Sequence, residues 1–242
     1  MDIFPANPKL TEAEQQVVAY LSAHADEIPH LTITDISERA FVSPSTVSRA
    51  IRKCGYACLA DMRYKLAARD SSQPTLALFN QILNKSYEEC TRTIENIRVE
   101  SILKITDMIR RAGKIFLISC CMTSVVAREF ELLLETQKLN VWSISDIPVL
   151  RRMDKLVTPD DLVMILTVNN TAPELEIAAR QSRECGAGVV VCCCKPDTPL
   201  EQYADVCVVG YSQSIASESV LSNPSRLGLQ IITRTIAEYL SN

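Results

Sequence analysis

The sequence offers no uninterrupted apolar run of the roughly 18 residues that a bilayer span requires. Its opening residues, Met1 to Pro8, lack the basic start and apolar stretch of a secretory signal. A soluble, cytoplasmic protein with no membrane partner is therefore expected. Aromatics are scarce at 5%, and histidine occurs only twice, at His24 and His30. No P-loop, nucleophile elbow or metal constellation is present. Cysteine, by contrast, is plentiful at ten residues. The pair Cys120-Cys121 and the run Cys192-Cys193-Cys194 lack the C-x-x-C spacing of a zinc site, and both histidines lie far from them. Reduced core thiols are the expectation, with a redox role left open, no structural metal and no cofactor.

What is present is the composition of an ordinary globular protein, 47% hydrophobic and 22% charged over 242 residues. That length holds one large domain or two small ones. The net charge of −4 argues against a nucleic-acid partner until it is divided along the chain. From Arg39 to Arg69 there are seven basic residues (Arg39, Arg49, Arg52, Lys53, Arg63, Lys65, Arg69) against Asp61 alone, a net +6, which leaves −10 on the rest. A basic patch on an acidic chain is a local electrostatic footprint that the global charge hides.

The first 70 residues read as short helices. Thr11-x-x-Glu14 forms a capping-box pattern ahead of Val17, Val18 and Leu21. Thr32 followed by Asp35 caps a second helix with Ile33, Ile36 and Ala40 on its apolar face. Ser43-Pro44 is an N-cap with proline at the first helical position, and Gly55 supplies a left-handed stop. A further helix covers about Leu59 to Arg69. Polar, proline-marked Asp70 to Pro74 reads as a linker, followed by helical periodicity from about Leu76 to Ala112. Beyond Gly113, the short apolar runs Ile115 to Ile118, Val141 to Ser143, Leu162 to Leu166, Val189 to Cys193 and Val206 to Val209 alternate with helical stretches. That alternation predicts a parallel sheet covered on both faces. The expected fold class is an all-α helix-turn-helix head plus an α/β doubly wound parallel-sheet domain. The expected boundaries are 1–72 for the head, 73–112 for a linker and connecting helix, and 113–242 for the sheet domain with its C-terminal helix.

The second helix of the predicted helix-turn-helix places Ser45, Thr46, Ser48, Arg49 and Arg52 on its polar side. Hydroxyls and guanidinium groups near the start of a recognition helix reach base edges, while the helix start and neighbouring lysines meet phosphates. Ser43, Ser45, Thr46, Ser48, Arg49, Arg52 and Lys53 are thus the candidate DNA-binding residues, with Val47 and Ile51 turned to the core against Ile36 and Ala40. Val42-Ser43-Pro44-Ser45-Thr46-Val47-Ser48-Arg49, followed by Lys53-Cys54-Gly55-Tyr56, resembles the N-terminal domain of the RpiR family of regulators. Leu10-Thr11-x-x-Glu14 and Asp35-Ile36-x-Glu38 fall in the same register. The resemblance covers nearly all of residues 1 to 70 and implies a double-stranded DNA operator as partner.

In a doubly wound sheet, ligands bind at the carboxyl ends of the strands where strand order reverses. Two loops meet there, Ser119 to Ser124 and Thr167 to Ala172. The first runs into a helix whose free N–H groups and dipole suit an anion. Ser119, Cys121, Thr123, Ser124, Thr167, Asn169, Asn170 and Thr171 are the candidate ligand-binding residues. The arrangement is similar to the SIS (sugar isomerase) domain, of flavodoxin-like topology, that RpiR-type regulators carry after their head. Pro199-Leu200 and Ala204-Asp205 fit its pattern. The resemblance implies a sugar-phosphate effector. Ser119, Cys121 and Asn170 stand where that pattern has glycine, so a ligand-free sheet domain stays open beside the effector-binding one.

Isomerases on this fold move protons with paired groups such as Glu and His. Both histidines fall in the head, and the carboxylates near the predicted site, Asp146, Glu174 and Glu218, have no evident acid partner. No catalytic residue is expected, and a phosphosugar isomerase or lyase is the remote alternative. The resulting expectation is a dimeric or higher-order homo-oligomeric regulator. Its contact is placed on the last helix (Leu227, Ile231, Ile232, Ile236) and the helix from Leu76.

Overall fold

A computed structural model of the chain describes residues 4, 10–56, 58–69, 74–170, 172–213 and 224–242. The chain divides into two compact units, Met1–Ser86 and Tyr87–Asn242.

In the first unit, α1 (Glu12–Ala23), α2 (Ile33–Arg39) and α3 (Pro44–Lys53) are each opened by a side-chain cap. Thr11 and Glu14 exchange both bonds of a capping box, and Thr32 and Asp35 do the same. Ser43 accepts the Thr46 N–H at 3.2 Å, with Pro44 at the first helical position. Such caps satisfy N–H groups that a short helix cannot satisfy itself, and each contributes about 1 kcal/mol. After α3, Gly55 adopts the left-handed conformation (φ 87°) that ends the helix. Next come α4 (Leu59–Arg69) and α5 (Pro74–Asn96), and the division between the units falls inside α5. Val17, Leu21, Ile28, Ile36, Val47, Ile51, Leu59 and Met62 close one small core.

The second unit is built on a five-stranded sheet: β1 (Ile115–Ser119), β2 (Val141–Ile144), β3 (Leu162–Leu166), β4 (Gly188–Cys193) and β5 (Val206–Val209). All neighbours pair in parallel in the order β2-β1-β3-β4-β5. Strand residues of odd and even position serve two separate cores. Leu117, Met164, Val190 and Val208 face α6 (Val99–Arg111), α7 (Ser124–Glu135) and α10 (Leu227–Leu240). Ile118, Val163, Ile165 and Val191 face α8 (Ile147–Leu150) and α9 (Pro173–Glu184). Burial on both faces explains why the strands read as continuous apolar runs without alternation. Cys192, Cys193 and Cys194 are buried as the sequence led us to expect. Burial raises the Cys194 thiol to about 12, so it stays protonated at neutral pH. Among the described residues, no helix is long and apolar enough to cross a membrane.

Three expectations need adjustment. The segment 73–112 does more than connect: it forms two helices broken at Ile97–Arg98, and α6 buries Ile102, Ile105 and Ile109 in the sheet's core. The last helix turns Ile232 and Ile236 into that same core, so neither is free to join a second subunit. Ser119 closes β1 and pairs in register with Leu166 instead of opening the loop. Linker residues Asp70 to Gln73, together with Thr171 and Glu218, lie outside the described residues.

Candidate functional site

In the head, Val47, Ala50 and Ile51 are buried along one side of α3. The helical period then places Ser45, Ser48, Arg49 and Arg52 together on the opposite side. Ser45, Arg49 and Arg52 are exposed and Ser48 is half-buried. Ser48 donates its hydroxyl to the Pro44 carbonyl at 3.2 Å. Two of the expected DNA contacts also have structural duties. Ser43 is the cap, its Oγ 2.8 Å from both Ser45 Oγ and Thr46 Oγ1. Thr46 is buried and receives the Arg49 guanidinium at 3.2 Å. Its Cβ falls on the flank of α3 that rests on the core, which the sequence pattern alone did not separate from the polar stripe.

Electrostatics in the head turn on Glu14, a buried carboxylate on α1. It receives Lys53 Nζ at 2.7 Å, and Arg49 Nε stands 4.0 Å away. The Lys53 ammonium and the Thr11 backbone N–H hold the Glu14 carboxyl below its ordinary value. Lys53 is thereby drawn to the side of α3 and presents less charge to an outside partner than its sequence position suggests. Arg39 pairs with Glu27 at 2.8 Å and Lys65 with Asp61 at 2.8 Å. Arg63 donates to the carbonyls of Ile28 and Leu31. Counted over residues 10–69, basic and acidic residues balance at seven each. The window from Arg39 therefore overstated the charge, because α1, α2 and the segment joining them bring six acids back to it. The Arg39–Glu27 pair is exposed on both sides, and such pairs are worth about 0–1 kcal/mol, so it holds Arg39 only weakly. Arg52 is exposed with no ion pair among the described residues, and with Arg49 it forms the cationic part of the stripe.

In the sheet unit, strand order reverses between β1 and β3, and the loops after these strands diverge there. Ser119 is buried at the tip of β1 and Thr167 is buried just past β3. Cys121 (φ 53°) and Asn170 (φ 49°) are both left-handed, the conformation natural to glycine. These are two of the three positions where the family pattern has glycine. The loop after β1 closes through Ser124, whose hydroxyl donates to the Cys121 carbonyl at 2.7 Å, and Thr123 is buried beneath it. The loop after β3 closes through Thr167, whose Oγ1 accepts the Asn170 N–H at 3.1 Å. Asn169 is exposed. Asn170 Nδ2 donates to Thr198 Oγ1 at 2.8 Å, a partner our reading of the sequence missed. The Thr198-x-x-Glu201 capping box was its available signal.

The helices leaving these two loops differ. Neither α7 nor α9 has a side-chain cap, in contrast to the three capped helices of the head. The first turn of α9 carries Glu174 and Glu176, whereas that of α7 carries no acid. An anion is accordingly favoured at α7 and opposed at α9. Glu174 is committed to Arg151 at 2.7 Å, and that guanidinium holds its carboxyl below the usual range. A carboxylate kept ionised in this way is a poor proton donor near neutral pH.

The loop after β5 is tied to α5. Thr93, fully buried, accepts the Tyr211 N–H at 2.9 Å, and Glu89, also fully buried, accepts the Gln213 N–H at 2.7 Å. Arg92 lies over the Tyr211 ring at 3.8 Å.

Residues 2–73 match the helix-turn-helix domain of the rpiR family, and residues 108–222 match the SIS domain. The HTH-type transcriptional regulator YfhH of Escherichia coli (strain K12) is 24% identical over 226 residues, spanning 87% of this chain and 80% of the relative. An HTH-type transcriptional regulator of Clostridium perfringens is 20% identical over 215 residues, spanning 82% of this chain and 77% of its own. Among solved structures, Vibrio vulnificus NanR complexed with ManNAc-6P superposes with a TM-score of 0.60 at 20% identity, covering 96% of this chain and 87% of that one. The sugar isomerase domain of the RpiR transcription factor from Sphaerobacter thermophilus gives 0.59 at 16% identity, covering 66% of this chain and 88% of that one. With both domain models matched in series, the chain belongs to the RpiR family of transcriptional regulators, an rpiR-type helix-turn-helix domain followed by a SIS domain.

Proposed function

We propose that this regulator binds a double-stranded DNA operator as a homodimer or higher homo-oligomer in the cytoplasm. Its hold on DNA changes when a phosphorylated sugar, or a related small polar ligand, occupies the loops after β1 and β3. The observation that carries the reading is α3, a short capped helix whose apolar side is fixed in the core and whose outer stripe is hydroxyls and guanidinium groups. Ser45, Ser48, Arg49 and Arg52 read the groove, with Ser43, Thr46 and Lys53 setting the helix's position. A two-fold protein reads a two-fold site, so the operator is a near-palindrome.

For the effector, the backbone N–H groups at the start of the 3-10 turn Cys121–Thr123, which leads directly into α7, take the phosphate. Ser119, Cys121, Thr123, Ser124, Thr167, Asn169 and Asn170 surround the polar body of the ligand, and Thr171 belongs to the same loop. The relative solved with ManNAc-6P makes hexosamine phosphates the first compounds to test. Binding reaches the head through α5, because Thr93 and Glu89 hold the loop after β5 to that helix. The site is read as a binder and not an enzyme, since both histidines lie in the head and Glu174 is bound to Arg151. A second reading, a sheet unit without a ligand, is favoured by one fact: Cys121 places a side chain where glycine would leave the loop backbone bare.

Genomic footprinting supplies the operator, and fluorescence anisotropy on that duplex, with and without sugar phosphates, tests the whole reading. A ligand at 100 times its Kd should also stabilise the protein by about 2.7 kcal/mol in a thermal-shift assay. No affinity for any duplex at low ionic strength overturns the DNA reading. Duplex binding with no response to any sugar phosphate selects the ligand-free alternative.

A further inference from the structure

The turn between α2 and α3 carries a side chain that the fold does not use. Phe41 is 93% exposed, the highest value among the exposed large hydrophobic residues described, where the next are Val99 and Val125 at 66%. Its backbone is left-handed, with φ 53°. A bulky residue at positive φ is strained, and an aromatic ring left in water gives up the gain of burial. Both disadvantages fall on the same residue, and no contact among the described residues of the head offsets either. A single exposed apolar residue needs no explanation, but one held out on a strained backbone does.

The ring is presented, not loose. The Phe41 N–H donates to the Glu38 carbonyl at 3.3 Å and the Val42 N–H to the Ser37 carbonyl at 2.9 Å, so the turn is pinned as the end of α2. On one side Ala40 is buried, and on the other Val42 packs against the core. Ser43, two residues on, caps α3. Phe41 therefore stands in the turn just ahead of α3, two residues before its cap Ser43 and close in sequence to the start of the outer stripe.

We propose that Phe41 is a duplex-contacting residue, its ring laid against apolar groove surface (deoxyribose carbons or a thymine methyl) beside the point where α3 enters. Aromatic contact with a thymine methyl is an established form of base readout, and the contact is uncharged. The inference rests on the DNA-binding reading above. It adds an apolar contact to a stripe that is otherwise hydroxyl and guanidinium.

The test uses the full-length chain and a labelled duplex carrying the genomic fragment the protein protects most strongly. Phe41→Gly should leave thermal stability equal or higher, because glycine relieves the left-handed strain. The same variant should lose about tenfold or more in duplex affinity. The slope of log affinity against log salt should stay at the wild-type value, because no phosphate contact is lost. Phe41→Leu, which keeps an apolar side chain, should retain part of the affinity. The double variant Arg49→Ala/Arg52→Ala serves as reference and should weaken duplex binding. Wild-type affinity in Phe41→Gly, with the reference variant weakened, overturns the Phe41 contact and leaves the DNA reading standing. The same result accompanied by lost regulation in cells assigns the ring to a protein partner, which also overturns it. If wild-type protein binds no duplex, both readings fall. A Phe41→Gly chain less stable than wild type would show that the ring is packed, against the inference.

Discussion

Replacing Thr93 by valine isolates the joint between α5 and the loop after β5. Thr93 is fully buried, and its Oγ1 accepts the Tyr211 N–H at 2.9 Å. Valine has nearly the same shape, so no cavity forms and the loss is confined to one acceptor. An N–H left without a partner in a buried setting costs about 1–3 kcal/mol. Arg92, lying over the Tyr211 ring at 3.8 Å, limits the access of replacement water. In a unit the size of Tyr87–Asn242, that cost corresponds to a Tm lower by about 2–12 °C. Thr93→Ser keeps the oxygen and loses only a methyl group, so it should cost about 1 kcal/mol. Differential scanning calorimetry on the full chain gives the order wild type, serine, valine. Anisotropy should show unchanged duplex affinity for Thr93→Val without effector, but a weakened response to effector, because the bond joins the loop after β5 to α5, the link through which binding is proposed to reach the head. A valine variant as stable as wild type, or a serine variant worse than valine, refutes the reasoning.

Three further outcomes follow from the same geometry. Arg49→Ala should cost about 1–3 kcal/mol on the specific operator if its guanidinium reads a base, whereas equal loss on specific and random duplexes would assign it to phosphate. Gly55→Ala and Gly228→Ala should both destabilise, by different physics that thermal unfolding can compare. At Gly55 a Cβ meets nothing within 4 Å, so only the left-handed backbone is penalised, by about 1–2 kcal/mol. At Gly228 it falls 2.8 Å from the Tyr211 carbonyl oxygen, 3.0 Å from Thr93 Oγ1 and 3.1 Å from Cys194 Sγ. That overpacking, about 1–3 kcal/mol, should outweigh the roughly 1 kcal/mol that alanine gains inside a helix; a stabilised variant would contradict the packing. Finally, Glu14 has a folded pKa below its ordinary value of 4.5, so its contribution is full above that pH and is lost as pH falls through the lower folded value. Urea unfolding of the head should weaken from about pH 4.5 downward, and Glu14→Gln should flatten that dependence; an unaltered profile counts against the Glu14–Lys53 bond.

The sequence was most informative where one local signal decides one local structure. Thr11, Thr32 and Ser43 open helices because their oxygens satisfy amides that nothing else can reach, and Gly55 ends one because its backbone has no Cβ to clash. Strands buried on both faces announced the parallel sheet. Long-range charge was less legible. The basic window looked like a +6 patch only because Glu14 and Glu27, distant in sequence, are neighbours in space. Face assignment on α3 failed at Thr46, where 3.6-residue periodicity leaves flank positions undetermined and packing against the core settles them. The same ambiguity let Ile232 and Ile236 be read as a subunit contact when they fill the sheet's own core. Thr93 and Glu89 could not have been found, since their importance lies in backbone groups more than a hundred residues away.

The two ligand-side loops bear on whether the loss of glycine from the family pattern means loss of the site. Had Cys121 and Asn170 relaxed into ordinary backbone, the loops would have changed course and the switch point would no longer be shaped for a ligand. Both remain left-handed, at 53° and 49°, although a residue with a Cβ pays about 1 kcal/mol there and Asn somewhat less. Strain of this kind persists only where the surroundings dictate the backbone. Here those surroundings can be named: Ser124 bonded to the Cys121 carbonyl, Thr167 to the Asn170 N–H, and Thr198 to the Asn170 side chain. Side-chain hydroxyls thus hold the path that glycine would have followed freely. The Cβ that Cys121 adds matters for how closely phosphate approaches the loop, whereas the direction of the amides in the turn Cys121–Thr123 depends on the path. A phosphorylated sugar bound as proposed would sit somewhat farther from the loop after β1 than glycine would allow. Affinity for a phosphorylated sugar should then rise in Cys121→Gly, where the left-handed turn is kept and the obstructing side chain is gone.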